Sequence, residues 1–169
     1  IFPDYDSDPT IAIIKNFTGT SVSNGFQAEV YLKMWERVEV KTGYTYLDVY
    51  REVAEENELL PFNPKHKILT TFSFSPLSNR YHFDVNMHWY GEQRLPDTKS
   101  NPAEFQRPDF SEPYTVVSAQ LTYTFGAFEV SGGCEHIFDF PQLQPIISWQ
   151  DPFSPYLHPS SVRGPTRPR

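Results

Sequence analysis

Between Tyr81 and Tyr90 the chain alternates without a break: Tyr81, Phe83, Val85, Met87 and Trp89 interleave with His82, Asp84, Asn86, His88 and Tyr90. Successive side chains of a strand point to opposite faces, so this segment predicts a strand with one apolar and one polar face. The pattern recurs. Phe26, Ala28, Val30, Leu32 and Met34 oppose Gln27, Glu29, Tyr31 and Lys33, and Val38, Val40, Thr42, Tyr44 and Tyr46 oppose Glu39, Lys41, Gly43 and Thr45. Ile68, Thr70, Phe72 and Phe74 oppose Lys67, Leu69, Thr71, Ser73 and Ser75, with Leu69 breaking the rule. Val117 to Phe125 and Phe128 to Glu135 alternate in the same way, and Thr10 to Asn16 is a weaker strand. A 3.6-residue period would mix charged and apolar positions on one side, which excludes helices.

The connections differ in length. Short turns are expected near Trp35-Glu36-Arg37, Pro76 to Arg80 and Gly126-Ala127, and longer links over Phe17–Asn24, Ala54–Pro64, Arg94–Pro113 and beyond Asp139. The proline-rich stretch after Phe140 has little periodicity and is expected to be a long loop. About nine residues at ~3.3 Å rise, tilted ~40°, span roughly the 25 Å apolar band of a membrane β-barrel. Aromatic residues at both ends of the apolar row, Tyr81 and Trp89, suit the two interfaces, and Phe74, Tyr81, Phe125 and Phe128 all lie beside short turns.

Composition sharpens this picture. Aromatic residues make up 16% of the 169 positions, yet mean hydropathy is −0.51. A chain polar on average but rich in aromatics suits strands that show alternate residues to lipid and to water. No run approaches the ~20 apolar residues of a membrane helix. Lys and Arg total 14 against 21 Asp and Glu, a formal charge of −7, which argues against a nucleic-acid partner. Cys134 is the single cysteine, so no internal disulfide or multi-cysteine metal site is available. The expected fold is all-β, an antiparallel meander of seven strands. Its raw edges, and an N-terminus opening at Ile1-Phe2-Pro3 without Met, are expected to mark a fragment that has lost strands at both ends.

Several segments resemble the C-terminal part of TonB-dependent outer-membrane receptors. They are Gly43-Tyr44-Thr45-Tyr46-Leu47-Asp48, the P-x-x-P-x-H-K pattern within Leu60–Lys67, and Glu135-His136-Ile137-Phe138-Asp139-Phe140, with His136 where the family usually has Asn. Asp151–Tyr156 and Gly164–Arg169 resemble that family's last extracellular loop. The resemblance runs from about Thr20 to Arg169. It implies roughly the last third of a barrel of about 22 strands, without its plug domain, TonB box or terminal strand. It further implies a bacterial outer-membrane location and uptake of a scarce solute such as a siderophore-iron complex, cobalamin or an oligosaccharide. Outer-membrane lipid and a TonB-type energy-coupling protein, acting through the plug, would be partners.

Candidate chemistry is sparse. His82, Asp84, Asn86 and His88 share a face at ~6.6 Å steps, too extended to surround a metal ion, so a polar lumen row is expected and no metal site or cofactor. Glu55, Glu56 and Glu58 form an acidic loop that needs no ligand. Cys134 and His136 fall on the lipid-facing parity, a poor setting for a nucleophile. No catalytic motif is present, so no enzyme activity is expected. Tyr90, Gln93 and Arg94, where that family's ligands approach, are the candidate solute contacts. The alternatives are a porin-like barrel and a soluble lipocalin-like barrel, in which the apolar rows would line a closed interior.

Overall fold

The computed structural model describes residues 2–4, 13–15, 19–53, 56–76, 80–99 and 102–138. The motifs at Asp151–Tyr156 and Gly164–Arg169, the tail beyond Phe140, and Glu55 lie outside them. The strands are β1 (Phe2–Asp4), β2 (Ile13–Lys15), β3 (Ser21–Met34), β4 (Val38–Val53), β5 (Glu56–Leu59), β6 (His66–Phe74), β7 (Tyr81–Tyr90), β8 (Tyr114–Phe125) and β9 (Phe128–Cys134). All are antiparallel. A seven-stranded sheet runs β3-β4-β6-β7-β8-β9, with β5 on the upper half of β4. Of the strand expected over Thr10–Asn16, Ile13–Lys15 lies within the described residues, as β2, and pairs with β1, not with this sheet. The seventh strand of the sheet is instead β5, from a segment expected to be a link.

The registers convert one-strand alternation into whole faces. Leu32, Val40, Phe72, Val85, Ala119 and Cys134 stand side by side, as do Met34, Val38, Phe74, Phe83, Leu121 and Gly132 one step nearer the short turns. On the opposite face Lys33, Glu39, Ser73, Asp84, Gln120 and Gly133 form a row, and Tyr31, Lys41, Thr71, Asn86 and Ser118 the next. A slip of one residue in any pairing would invert that strand's face, so the polarity of the two faces fixes the register.

No second layer covers either face among the described residues. Apart from Pro64 and Pro96, Val117 alone of their aliphatic and aromatic side chains is buried, while Phe26, Leu121 and Phe128 are 59%, 50% and 73% exposed. Phe83 is exposed and Val85 and Met87 are half-buried, shielded by neighbours within their own sheet. The sheet is not closed, and the outer edges of β3 and β9 carry no strand among the described residues. The apolar rows therefore do not line a closed interior, contrary to the lipocalin-like alternative. A water-soluble sheet would cover so large an apolar face; a membrane wall leaves it to lipid.

Aromatic residues gather at both ends of the apolar face. At the short-turn end Tyr81 and Tyr123 are neighbours at 4.8 Å, beside exposed Phe125 and Phe128. At the other end Phe26 lies 5.7 Å from Tyr44 and 5.8 Å from Tyr46, and the Tyr44 hydroxyl is 2.7 Å from Nδ1 of His66.

Two of the short turns use left-handed backbone. Gly126, at φ +59°, leads the Phe125–Phe128 turn, the position that a type II′ hairpin reserves for glycine. A Cβ there would meet nothing within 4 Å, so Gly126→Ala is expected to cost about 1 kcal/mol through backbone strain alone. Equilibrium unfolding checks this; an unchanged midpoint would contradict it. Trp35 and Glu36, at φ 51° and 57°, make the β3–β4 turn, closed by the Arg37 N–H to the Met34 carbonyl at 3.2 Å.

Candidate functional site: the polar face and the long-link pocket

Along the polar face, hydrogen bonds join neighbouring strands. Ser73 Oγ donates to Asp84 Oδ1 at 2.6 Å and Thr71 Oγ1 to Asn86 Oδ1 at 2.9 Å. His82 holds Ser75 Oγ at 2.7 Å through Nδ1 and Asp84 Oδ1 at 3.0 Å through Nε2. Lys33–Glu39 (3.0 Å) and Lys41–Glu29 (3.2 Å) are cross-strand ion pairs on the same face. The His82–Asn86 row is thus occupied by partners on β6, by Ser75 just after it and by its own members, as a hydrated wall requires.

Gly43 interrupts this polar face. Its missing side chain leaves a hollow of about 170 Å³ bordered by Glu29, Lys41, Lys67, His88 and Tyr90. Tyr90 stands at the upper margin, stacked on Tyr114 at 5.0 Å and on His88 at 6.3 Å.

A larger cavity, of about 360 Å³, lies where the long links gather at the other end of the strands. Val49, Leu59, Leu60, Trp89 and Phe110 supply its apolar wall, and Asn63, Lys65, His66, Glu92 and Arg94 its polar groups. The hydrophobic phase of β4 inverts to reach it. Below Tyr46 the apolar residues share the parity of Val38; above it Leu47 and Val49 take the parity of Glu39, while Asp48, Tyr50 and Glu52 take the other. Such an inversion is expected where a wall leaves lipid and its outer surface meets water.

Glu58 and Arg94 hold the links around this cavity. Glu58 Oε2 is 2.6 Å from Arg51 Nε, its neighbour across the β4–β5 ladder, and Oε1 is 3.2 Å from Arg94 Nη2. Arg94 Nη1 donates to the Leu59 carbonyl at 3.0 Å, and the Arg94 carbonyl accepts the Phe62 N–H at 2.9 Å. The described residues of the 91–113 link are bonded to one another. Arg94 bridges to Phe110, the Leu95 N–H reaches the Asp109 carbonyl at 2.8 Å, and the Ser111 N–H reaches the Gln93 carbonyl at 2.9 Å. Lys99 donates to the Asp109 carboxylate at 2.9 Å, and that bond holds its ammonium above the usual lysine range.

The three candidate solute contacts therefore occupy different settings. Tyr90 borders the Gly43 hollow and Arg94 the larger cavity. Gln93 is 7% exposed and fixes the link through its backbone. Glu58, expected to be part of an exposed acidic loop, instead pairs with Arg51 and Arg94. Its alternation with Arg51 across a ladder was hidden because Leu47–Val53 runs out of phase with the strand below. Cys134 is exposed on the apolar face at the open edge, its thiol 3.6 Å from the Glu135 carbonyl.

A comparison with curated proteins finds no match. The family model described as TonB dependent receptor-like, beta-barrel matches residues 1–135, which include every strand of the two-faced sheet, and the chain belongs to that family.

Proposed function

We propose that this chain forms part of the wall of an outer-membrane receptor that takes up a scarce solute, with energy coupled from a TonB-type partner. A siderophore-iron complex, cobalamin or an oligosaccharide is the class of solute in view. The single observation that carries the reading is the uncovered apolar face, bounded by aromatics at both ends and backed by a continuous polar face. Family membership adds that such proteins reside in the outer membrane of Gram-negative bacteria and act in transport. The short turns then lie on the periplasmic side and the long links outside the cell. Strands beyond the outer edges of β3 and β9 complete the barrel, a plug domain fills it, and this chain is its C-terminal part.

In this reading the segment supplies wall, lumen surface and the outer cavity, and no enzyme activity. Tyr90 and Arg94 touch the solute, and buried Gln93 positions Arg94. The experiment is uptake of labelled solutes by cells with and without the gene for the full-length receptor, each with and without a protonophore. Uptake that needs both the gene and the proton gradient supports the proposal. Gene-dependent uptake indifferent to the protonophore would make the protein a passive, porin-like channel.

A further inference from the structure

Gly43 is a glycine that its own strand does not require. It lies in the interior of β4, paired with Glu29 of β3 and Leu69 of β6, and both registers run through it without a bulge. Its backbone is not left-handed, and a Cβ there would meet only the Ala28 carbonyl oxygen, at 3.9 Å, an ordinary contact. Glycine weakens a strand interior, and one placed so is a mark of close approach by a ligand or another backbone. Three further observations surround the hollow it leaves. Leu69, directly beside it, is 42% exposed although it stands on the polar face. Lys67 has no ion-pair partner among the described residues, whereas Lys33 and Lys41 on the same face pair with Glu39 and Glu29. Tyr90 closes the upper margin, its ring stacked between Tyr114 and His88.

We propose that this hollow binds one ring of an acidic sugar, a uronate unit whose carboxylate pairs with Lys67 and whose hydroxyls bond to the rim. At about 170 Å³ it falls below the ~300 Å³ at which drug-sized sites begin, and suits a single ring. Leu69 and the bare Gly43 backbone give the C–H face of that ring an apolar floor. The rim is mixed: Glu29 only accepts, Lys41 and Lys67 only donate, and Gln27 does both. Glu29 and Lys41 are paired at 3.2 Å but remain 48% and 52% exposed, so each keeps hydrogen-bonding capacity to spare. Sugar hydroxyls, which both donate and accept, satisfy such a rim all round. The bare edge of an aromatic acid would instead leave Glu29 and Gln27 facing carbon. The unpaired Lys67 ammonium then selects a ring that carries a negative group. In the transport reading this face is the lumen wall, just below the long links. The hollow's place on the solute's path rests on that reading, and its chemistry does not.

The test is saturation-transfer NMR on the purified full-length receptor in detergent, with D-glucuronate, D-glucose and benzoate as probes. Glucuronate is expected to bind about threefold to fivefold more tightly than glucose, the worth of one exposed ion pair, and more tightly than benzoate. Lys67→Met should bring glucuronate down to the affinity of glucose and leave glucose unchanged. Gly43→Val fills the hollow with a residue that strands favour, and should abolish binding of both sugars. Heat-modifiable migration on gels confirms that each variant retains its barrel. Gly43→Ala, a smaller filling, should weaken both sugars less, and keeps the test open should the larger side chain prevent folding. Lys33→Met, on the same face but nearer the short turns, should change nothing. No glucuronate binding, equal affinity for glucose and glucuronate, benzoate matching glucuronate, or sugar binding that survives Gly43→Val would overturn the subsite. Gradient-dependent uptake is scored separately, so loss of the transport reading is distinguishable from loss of this one.

Discussion

Val85→Arg in the full-length receptor is expected to destabilise the folded barrel by about 2–4 kcal/mol, whereas His88→Arg on the same strand changes it by less than about 1 kcal/mol. Val85 is midway between Tyr81 and Trp89 on the apolar parity, and its row runs Leu32, Val40, Phe72, Val85, Ala119 and Cys134 without a polar atom other than the Cys134 thiol. A guanidinium there lies at the level where desolvation is greatest and snorkelling to either interface is longest. His88 faces the other way, over the hollow beside Gly43, where a longer cation meets water. Denaturant unfolding in lipid vesicles measures the difference. Equal effects of the two substitutions would mean that the faces do not meet different solvents.

Arg94→Met is expected to lower the free energy of opening the long-link region by about 1–3 kcal/mol while leaving the strands below unaffected. The side chain joins two segments: extending from the link that bridges to Phe110, it pairs with Glu58 and donates to the Leu59 carbonyl, both on β5. Its loss leaves Glu58 with a weakened set of partners. The figure stays below that of a fully buried pair because both side chains keep some contact with water, at 20% and 26% exposure. Amide hydrogen exchange resolves the effect locally. Faster exchange is expected at Phe62, Leu95 and Ser111, and unchanged exchange in β6 and β7. Acceleration throughout the sheet would show that the links support the wall rather than merely rest on it.

Much of the wall was legible because its period is strict. Over Phe26–Met34, Val38–Tyr46 and Tyr81–Tyr90 one parity is apolar and the other polar, and no tertiary layer competes with that pattern. The same signal placed all three short turns at one end. What escaped was structure governed by something other than the lipid. Ser21–Gly25 is a run of small and polar residues with no face to bury, yet it pairs with Leu47–Arg51 of β4. β5 was hidden for the related reason that Leu47 onward alternates in the opposite phase.

The site was less legible than the fold. Glu58 and Arg51 are seven positions apart, a spacing that means nothing until the hairpin between them is known. Likewise, Gly43 registered as a polar-parity residue, but its lack of a side chain matters only once Glu29, Lys67 and His88 surround it. One local feature does connect sequence to backbone. His136 takes φ 55°, where the resembling family usually has Asn, the non-glycine residue among those most at ease in that region. It ends β9 with a change of direction, after which the Ile137 N–H bonds the Val117 carbonyl at 2.9 Å.

The central claim is that one face of this sheet meets lipid and the other water. Nitroxide labels introduced singly from Tyr81 to Tyr90 in the full-length receptor, reconstituted in vesicles, test it most directly. Collisions with oxygen and with a water-soluble nickel complex would be compared site by site. The account predicts a two-residue alternation, with positions 83, 85 and 87 favouring oxygen and positions 84, 86 and 88 favouring the nickel complex. Alternation in the opposite phase, or none, would contradict it.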